Sequence, residues 1–180
     1  LYGRYRKLER GIPQTRWPCR ACRGRALGCE SCEGTGLQYT DSVQDLIGEP
    51  IRKSLGGEDT SFHGMGREDI DVRCLGTGRP FVLEIKKPSK RTASLQHLLE
   101  AIKSSAASKV EVDNLSWCTR KKVNEVKQSR SEKTYTIRFR AEGLGDQETA
   151  KQSIFSLSGQ IIKQETPQRV SHRRAAKTRR

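Results

Sequence analysis

The sequence predicts an α+β fold: a mixed, largely antiparallel sheet with flanking helices and a small metal-binding knuckle inserted near its start. Three observations carry this expectation. Apolar residues alternate at every second position over 109–115 and 133–141, as in half-buried strands. They recur at helical spacing over 43–47 and 95–102. Four cysteines in two Cys-x-x-Cys pairs fall in a glycine- and arginine-rich stretch, 16–40. Interleaved helix and strand signals exclude an all-helical bundle.

Taken in order, residues 1–15 mix Tyr2, Tyr5 and Leu8 with basic residues and show no clear period. Beyond the cysteines, Ser42 is placed to cap a short helix through Val43, Leu46 and Ile47, which Gly48-Glu49-Pro50 should end. The polar, glycine-bearing run 56–66 reads as a loop. Asp69 and Asp71, two apart, would share one face of an extended strand, and Gly76-Thr77-Gly78 would turn the chain into a second strand, 80–85. Pro88-Ser89-Lys90-Arg91 breaks that strand. Ser94 then caps a helix carrying Leu95, Leu98, Leu99 and Ile102. Residues 109–115 read as a strand with Val110 and Val112 on one face, and the polar run 120–130 as a solvated helix or a loop. In 133–141, Tyr135, Ile137, Phe139 and Ala141 face one way while Thr136, Arg138 and Arg140 face the other. After the turn at Gly143-Leu144-Gly145, Asp146 caps a helix to about residue 157, Gly159 stops it, and 160–163 begins another strand.

The 180 residues suffice for one domain with a small appendage. Thirty-five Lys+Arg against 21 Asp+Glu give a formal charge of +14, spread along the chain, which points to nucleic acid as the partner. No apolar run approaches the length of a membrane span and no segment resembles a secretion signal, so the expectation is a cytoplasmic protein with no membrane partner. Nothing in the sequence calls for a protein partner. The start at Leu1 and the stop within a basic run, 173–180, read as those of a fragment.

Cys19-x-x-Cys22 and Cys29-x-x-Cys32 form two thiolate hooks, and Gly24, Gly28, Gly34 and Gly36 allow the tight turns that bring them together. Four sulfurs suit tetrahedral zinc, and no histidine stands near them to suggest a catalytic ion, so a structural zinc is expected. The knuckle would also present Arg16, Arg20, Arg23 and Arg25 to phosphates. Its second half, Cys29-Glu30-Ser31-Cys32-Glu33-Gly34-Thr35-Gly36, resembles a repeat of the zinc region of the DnaJ chaperone. Cys74 and Cys118, on expected strands, read as small core residues.

The block Gly66-Arg67-Glu68-Asp69-Ile70-Asp71-Val72-Arg73 sets two aspartates among arginines and glycines where folding alone does not require them. With Leu75-Gly76 and Gly78-Arg79-Pro80-Phe81 it resembles the catalytic-aspartate motif of the archaeal-type tRNA pseudouridine synthases, the Pus-ten family. Its Gly-Arg-Glu-Asp core is also similar to the Gly-Arg-Thr-Asp motif of another pseudouridine synthase family. The resemblance continues through Gly3-Arg4-Tyr5, Gly11-Ile12-Pro13-Gln14-Thr15-Arg16-Trp17-Pro18, Lys133-Thr134-Tyr135, Thr166-Pro167 and Arg169-Val170-Ser171-His172-Arg173-Arg174-Ala175, covering nearly the whole chain.

That resemblance implies a catalytic domain of pseudouridine synthase type, acting on tRNA at uridines 54 and 55 of the TΨC arm without an organic cofactor. It makes Asp69 the nucleophile and Tyr135 the ring that stacks on the flipped uracil. Apart from the resemblance, Arg67, Arg73 and Arg79 keep the region positive, which favours an ionised carboxylate and attracts a polyanion, and Arg67 is expected to contact the substrate. The family's later motif, an aromatic, an aliphatic and a basic residue, has no counterpart after Arg174 and is expected beyond Arg180; an RNA-binding domain is expected before Leu1. Two other readings stay open. One is a non-catalytic zinc module that binds RNA. The other is a magnesium-dependent nuclease using Asp71 with Glu84 and Lys86.

Overall fold

The computed structural model describes residues 1–129, 131–138, 140, 143, 146–165 and 177–179. Residues Leu1–Glu132 form one compact unit and Lys133–Arg180 a second.

In the first unit, β1 (Tyr2–Lys7) buries Gly3, Tyr5 and Lys7 and leaves Tyr2, Arg4 and Arg6 half-exposed. A lysine in the buried register hides this alternation from any search for apolar residues. The segment without a clear period is an inner strand of the sheet, whose order is β2-β3-β1-β4. Here β2 is Asp59–Gly64, β3 is Cys74–Lys86 and β4 is Val110–Ser116. Every pairing among these four strands is antiparallel, so the sheet is not mixed.

Two expectations around the aspartates are corrected. The run 56–66 is not all loop, because β2 alternates through buried Thr60 and Phe62 while Asp59, Ser61 and His63 give it a polar face. Nor is there a hairpin at Gly76-Thr77-Gly78: β3 is continuous through it. Gly76 and Gly78, at φ 63° and 72°, swing the chain out in a bulge without reversing it. Across the bulge the pairing passes from Tyr5–Arg79 to Lys7–Cys74. The Arg4 guanidinium pins it, donating to Thr77 O at 2.6 Å, Thr77 Oγ1 at 3.0 Å and Gly78 O at 2.8 Å.

Helix α1 (Val43–Leu55) begins where expected, with Ser42 Oγ accepting from Asp45 N at 3.1 Å, but it runs through Gly48-Glu49-Pro50. Pro50 forfeits one backbone hydrogen bond, yet Val43, Leu46, Ile47, Ile51 and Leu55 are buried along one face and outweigh that loss. Gly48 lets the helix lie close on the sheet, since a Cβ there would stand 3.2 Å from the Thr60 side chain. Helix α2 (Leu95–Ala106) is capped by Ser94, and α3 (Lys121–Gln128) is a helix with Val123 and Val126 buried.

Alternation along β3 divides the core between the two faces of the sheet. Phe81 and Leu83 join the cluster under α1 and α2, whereas Val82 packs with Val123 and Val126 of α3, beside Met65 and Cys118. Cys118 follows β4 and does not lie on a strand.

In the second unit, α4 (Gln147–Phe155) is capped by Asp146, which accepts from Glu148 N and Thr149 N at 2.8 and 2.9 Å. β5 (Ile162–Gln164) pairs antiparallel with β6 (Lys177–Arg179). The strand expected at 133–141 is absent among the described residues. Tyr135 and Ile137 are 66% and 77% exposed, because alternation alone makes no strand without a neighbour to pair with. Phe139, Ala141, Leu144, Gly145 and the stretch 166–176 lie outside the described residues.

Candidate active site and metal centre

Asp69 sits on the loop between β2 and β3, in a turn closed by Val72 N–H donating to Asp69 O at 3.1 Å. Its carboxylate oxygen Oδ1 accepts from Asp71 N at 3.3 Å, and Asp71 is exposed. The two aspartates therefore do not share a strand face as expected; they occupy successive corners of one turn. Side chains of Glu68 and Ile70, on either side, are buried and leave Asp69 at the half-exposed position between them.

What anchors this loop is a buried polar cluster. The Glu68 side chain is 2% exposed and lies 2.9 Å from Arg79 Nε, an ion pair whose N–H is not aligned as a hydrogen bond. Tyr5 Oη lies 2.7 and 2.8 Å from the two carboxylate oxygens, and Gln14 Nε2 reaches Glu68 Oε2 at 3.2 Å, Tyr5 Oη at 2.9 Å and Gly66 O at 3.1 Å. Arg79 Nη1 donates to Met65 O at 2.6 Å. Burial, and then the Glu68 charge, raise the Tyr5 phenol well above its ordinary pKa, so it remains a donor. Burial opposes the Arg79 charge more than any single neighbour favours it, but Glu68, Tyr5 and Cys74 together hold the guanidinium above its usual value. A second buried cation, Lys7, donates to Ile12 O, Asp69 O and Ile70 O at 2.8, 3.1 and 3.2 Å.

Arg67 is exposed and lines a cavity of about 310 Å³ with Gln14, Thr15, His63, Gly66 and Lys127. The cavity thus shares its wall with the Asp69 loop and carries two cationic side chains. Tyr135 belongs to the second unit and is exposed. The residues of the nuclease reading have other engagements: Glu84 Oε2 lies 2.6 Å from His63 Nε2, and Lys86 Nζ 2.9 Å from Asp59 Oδ2.

The four cysteines of the knuckle converge, with their sulfurs all within 4.8 Å of one another. Cys19 and Cys29 sulfurs are 4.0 Å apart, and those of Cys22 and Cys32 are 3.8 Å apart. A tetrahedron of thiolates around zinc has sulfurs separated by about 3.8 Å, so the donor set fits the ion. The local chain explains the convergence. Gly36, at φ 71°, would be strained by a Cβ, which would stand 3.0 Å from Gly24 O, and its N–H donates to Cys32 Sγ at 3.2 Å. Cys19 N donates to Gly36 O at 2.7 Å, and Trp17 packs edge-on against Tyr39, which closes the base of the knuckle. Crowding splits the thiols: the Ala26 N–H draws Cys22 down to about 6, while the Cys32 thiol pushes Cys29 up to about 11. Four adjacent sulfurs can all be thiolates only with a cation among them. Bound zinc would be held by Cys19, Cys22, Cys29 and Cys32 and would tie the two hooks together.

One arginine expected to face phosphates does not. Arg16 is turned inward to Asp45 at 2.5 Å and to Glu49 and Asp59 at 3.0 Å each, tying the foot of the knuckle to α1 and β2. Arg20, Arg23 and Arg25 are exposed. Sequence reasoning missed Glu68, Lys7, Tyr5 and Gln14 as a buried set, because Lys7 masks the alternation of β1 and the four residues come from separate segments.

Residues 1–180 match the family described as Pus10, C-terminal. Among curated relatives, tRNA pseudouridine synthase Pus10 of Methanothrix thermoacetophila is 49% identical over 180 residues, covering 100% of this chain and 39% of the relative. The protein of the same name from Methanothermobacter marburgensis is 52% identical over 180 residues, 97% of this chain and 43% of the relative. That of Methanocaldococcus jannaschii is 49% identical over 175 residues, 97% and 38%. The chain spans about two fifths of the length of these relatives. No helix among the described residues is long and apolar enough to cross a membrane. A match along its whole length, with the aspartate block inside it, places this chain in the Pus10 C-terminal family.

Proposed function

We propose that this chain is part of the catalytic domain of a cytoplasmic tRNA pseudouridine synthase, of pseudouridine synthase fold, in which Asp69 is the nucleophile. The observation that carries the reading is the half-exposed Asp69 turn held on a buried polar cluster, in a chain whose relatives are named for this activity. Isomerisation breaks the bond between ribose and uracil N1 and re-forms it at C5 of the same base. It needs an ionised carboxylate and a held base, with no redox partner. The uridine has to leave its stack to meet a side chain. Tyr135 would stack on the extruded uracil, and Arg67, on the cavity beside Asp69, would meet the RNA. The targets would be uridines 54 and 55 of the TΨC arm. Zinc at the four cysteines would be structural, and the +14 charge would supply the phosphate affinity.

The test is tritium release from a tRNA transcript carrying C5-tritiated uridine, with the full-length enzyme, no added Mg²⁺ and the RNA checked for integrity. Asp69→Asn should abolish release and leave tRNA binding intact. Isomerisation by that variant would remove Asp69 from the nucleophile's place; wild-type binding with neither release nor cleavage would leave a zinc module that binds RNA. Cleavage that appears on adding Mg²⁺ would favour the nuclease.

A further inference from the structure

We propose that Lys7 is a positioning residue of this centre: its buried ammonium grips the backbone of the Asp69 turn and so aims the carboxylate. The inference rests on Asp69 being the nucleophile. Lys7 is fully buried on an inner strand, a position where an apolar chain would fill the space with no charge to desolvate. Its three contacts are Ile12 O at 2.8 Å, Asp69 O at 3.1 Å and Ile70 O at 3.2 Å. Three carbonyl oxygens around one nitrogen need three N–H donors, which the ammonium has and the neutral amine lacks. Burial lowers the pKa of Lys7, and the charges of Glu68, Cys74, Asp69 and Asp71 act against that lowering.

Two of the three carbonyls belong to Asp69 itself and to the next residue. Ile70 O also accepts from Gly11 N at 2.9 Å, and at the other end of the turn Gln14 holds Gly66 O. The loop is therefore clamped on both sides of Asp69, with Lys7 the clamp at the nucleophile. A reacting carboxylate has to be held to a fraction of an ångström, and misplacement by about 1 Å can cost on the order of 100-fold in rate.

In the full-length enzyme, Lys7→Met should lower the single-turnover rate at saturating tRNA about 100-fold, with the tRNA Kd within about two-fold of wild type. Leu98→Ala, which opens a cavity under α2 away from the turn, is the control for lost stability. At a temperature where both variants are folded it should keep the rate within about three-fold of wild type. Should Lys7→Met not fold, Lys7→Gln keeps two donors and should show an intermediate rate, with faster amide exchange at Val72, whose N–H closes the turn on Asp69 O. Rates of the Lys7 variants no lower than that of Leu98→Ala overturn the proposal and leave Asp69 standing. An active Asp69→Asn enzyme overturns the nucleophile assignment and this proposal together.

Discussion

The phenol of Tyr5 meets the carboxylate of Glu68 inside the core, 2.7 and 2.8 Å from its two oxygens, one residue before Asp69. A negative charge at that depth is tolerable because Arg79, Tyr5 and Gln14 all converge on it. The cluster joins the inner strand β1, the segment after it and the start of the aspartate loop, so the loop's conformation is coupled to the stability of the sheet.

Removing single members of the cluster should rank their importance. Tyr5→Phe deletes one donor and leaves Glu68 paired with Arg79, at an expected cost of about 1–3 kcal/mol. Arg79→Met leaves the carboxylate buried without its counter-ion and should cost about 3–5 kcal/mol. Urea unfolding of the two variants checks the order. Equal losses would mean that the ion pair adds nothing beyond one hydrogen bond.

The knuckle should carry one zinc per chain by elemental analysis, and Cys32→Ser should lose it. Cys32 is buried and its sulfur also accepts the Gly36 N–H, so the substitution removes a ligand and a turn contact together. Because the base is closed separately by the Trp17–Tyr39 pair, the sheet should remain folded while the knuckle alone becomes open to protease. A Cys32→Ser protein with full zinc content would rule out the four-sulfur site.

Arg16 neutralises three carboxylates at once, which makes its contribution dependent on pH. Lys86 first, with the Thr60 N–H and Arg16, lowers Asp59 to about 2, and Arg52 first, then Arg16, lowers Glu49. A carboxylate lowered on folding stabilises fully above its unfolded value, about 4, and that stability is lost as pH falls through the folded value. Asp59 is 42% exposed, so water screens its share to a fraction of a kcal/mol. Arg16→Met should therefore cost about 1 kcal/mol at neutral pH, and the gap from wild type should close between about pH 4 and pH 2. A gap that persists at pH 2 would assign the effect to packing.

Several features were legible in the sequence because their signal is local. The cysteine spacing, the caps at Ser42, Ser94 and Asp146, and the apolar alternation of β4 each depend on near neighbours and appear in the structure. Features set by distant partners were misread. Pro50 looked like a helix stop because the buried face that sustains α1 lies on both sides of it. Gly76-Thr77-Gly78 looked like a hairpin turn because Arg4, 73 residues away, is what makes it a bulge. Lys7 and Glu68 drew no assignment of their own, since the groups that satisfy them come from other segments. The aspartate motif drew attention to Asp69, but the buried residue beside it is what fixes the loop.

The bulge supplies the last test, because its two glycines do different work. Both have left-handed backbone, φ 63° at Gly76 and 72° at Gly78, so alanine is strained at either. At Gly76 a Cβ meets nothing within 4 Å, and Gly76→Ala should cost about 1 kcal/mol from the backbone alone. At Gly78 a Cβ would stand 2.8 Å from Tyr5 O, against strand backbone that cannot yield without moving the Tyr5 phenol. Gly78→Ala should then cost about 3 kcal/mol and weaken the Tyr5–Glu68 contact as well. Amide exchange at Val72 reads that second effect: it should quicken in Gly78→Ala and stay at the wild-type rate in Gly76→Ala. Equal stability losses with no change at Val72 would mean that the bulge shapes β3 without bearing on the aspartate turn.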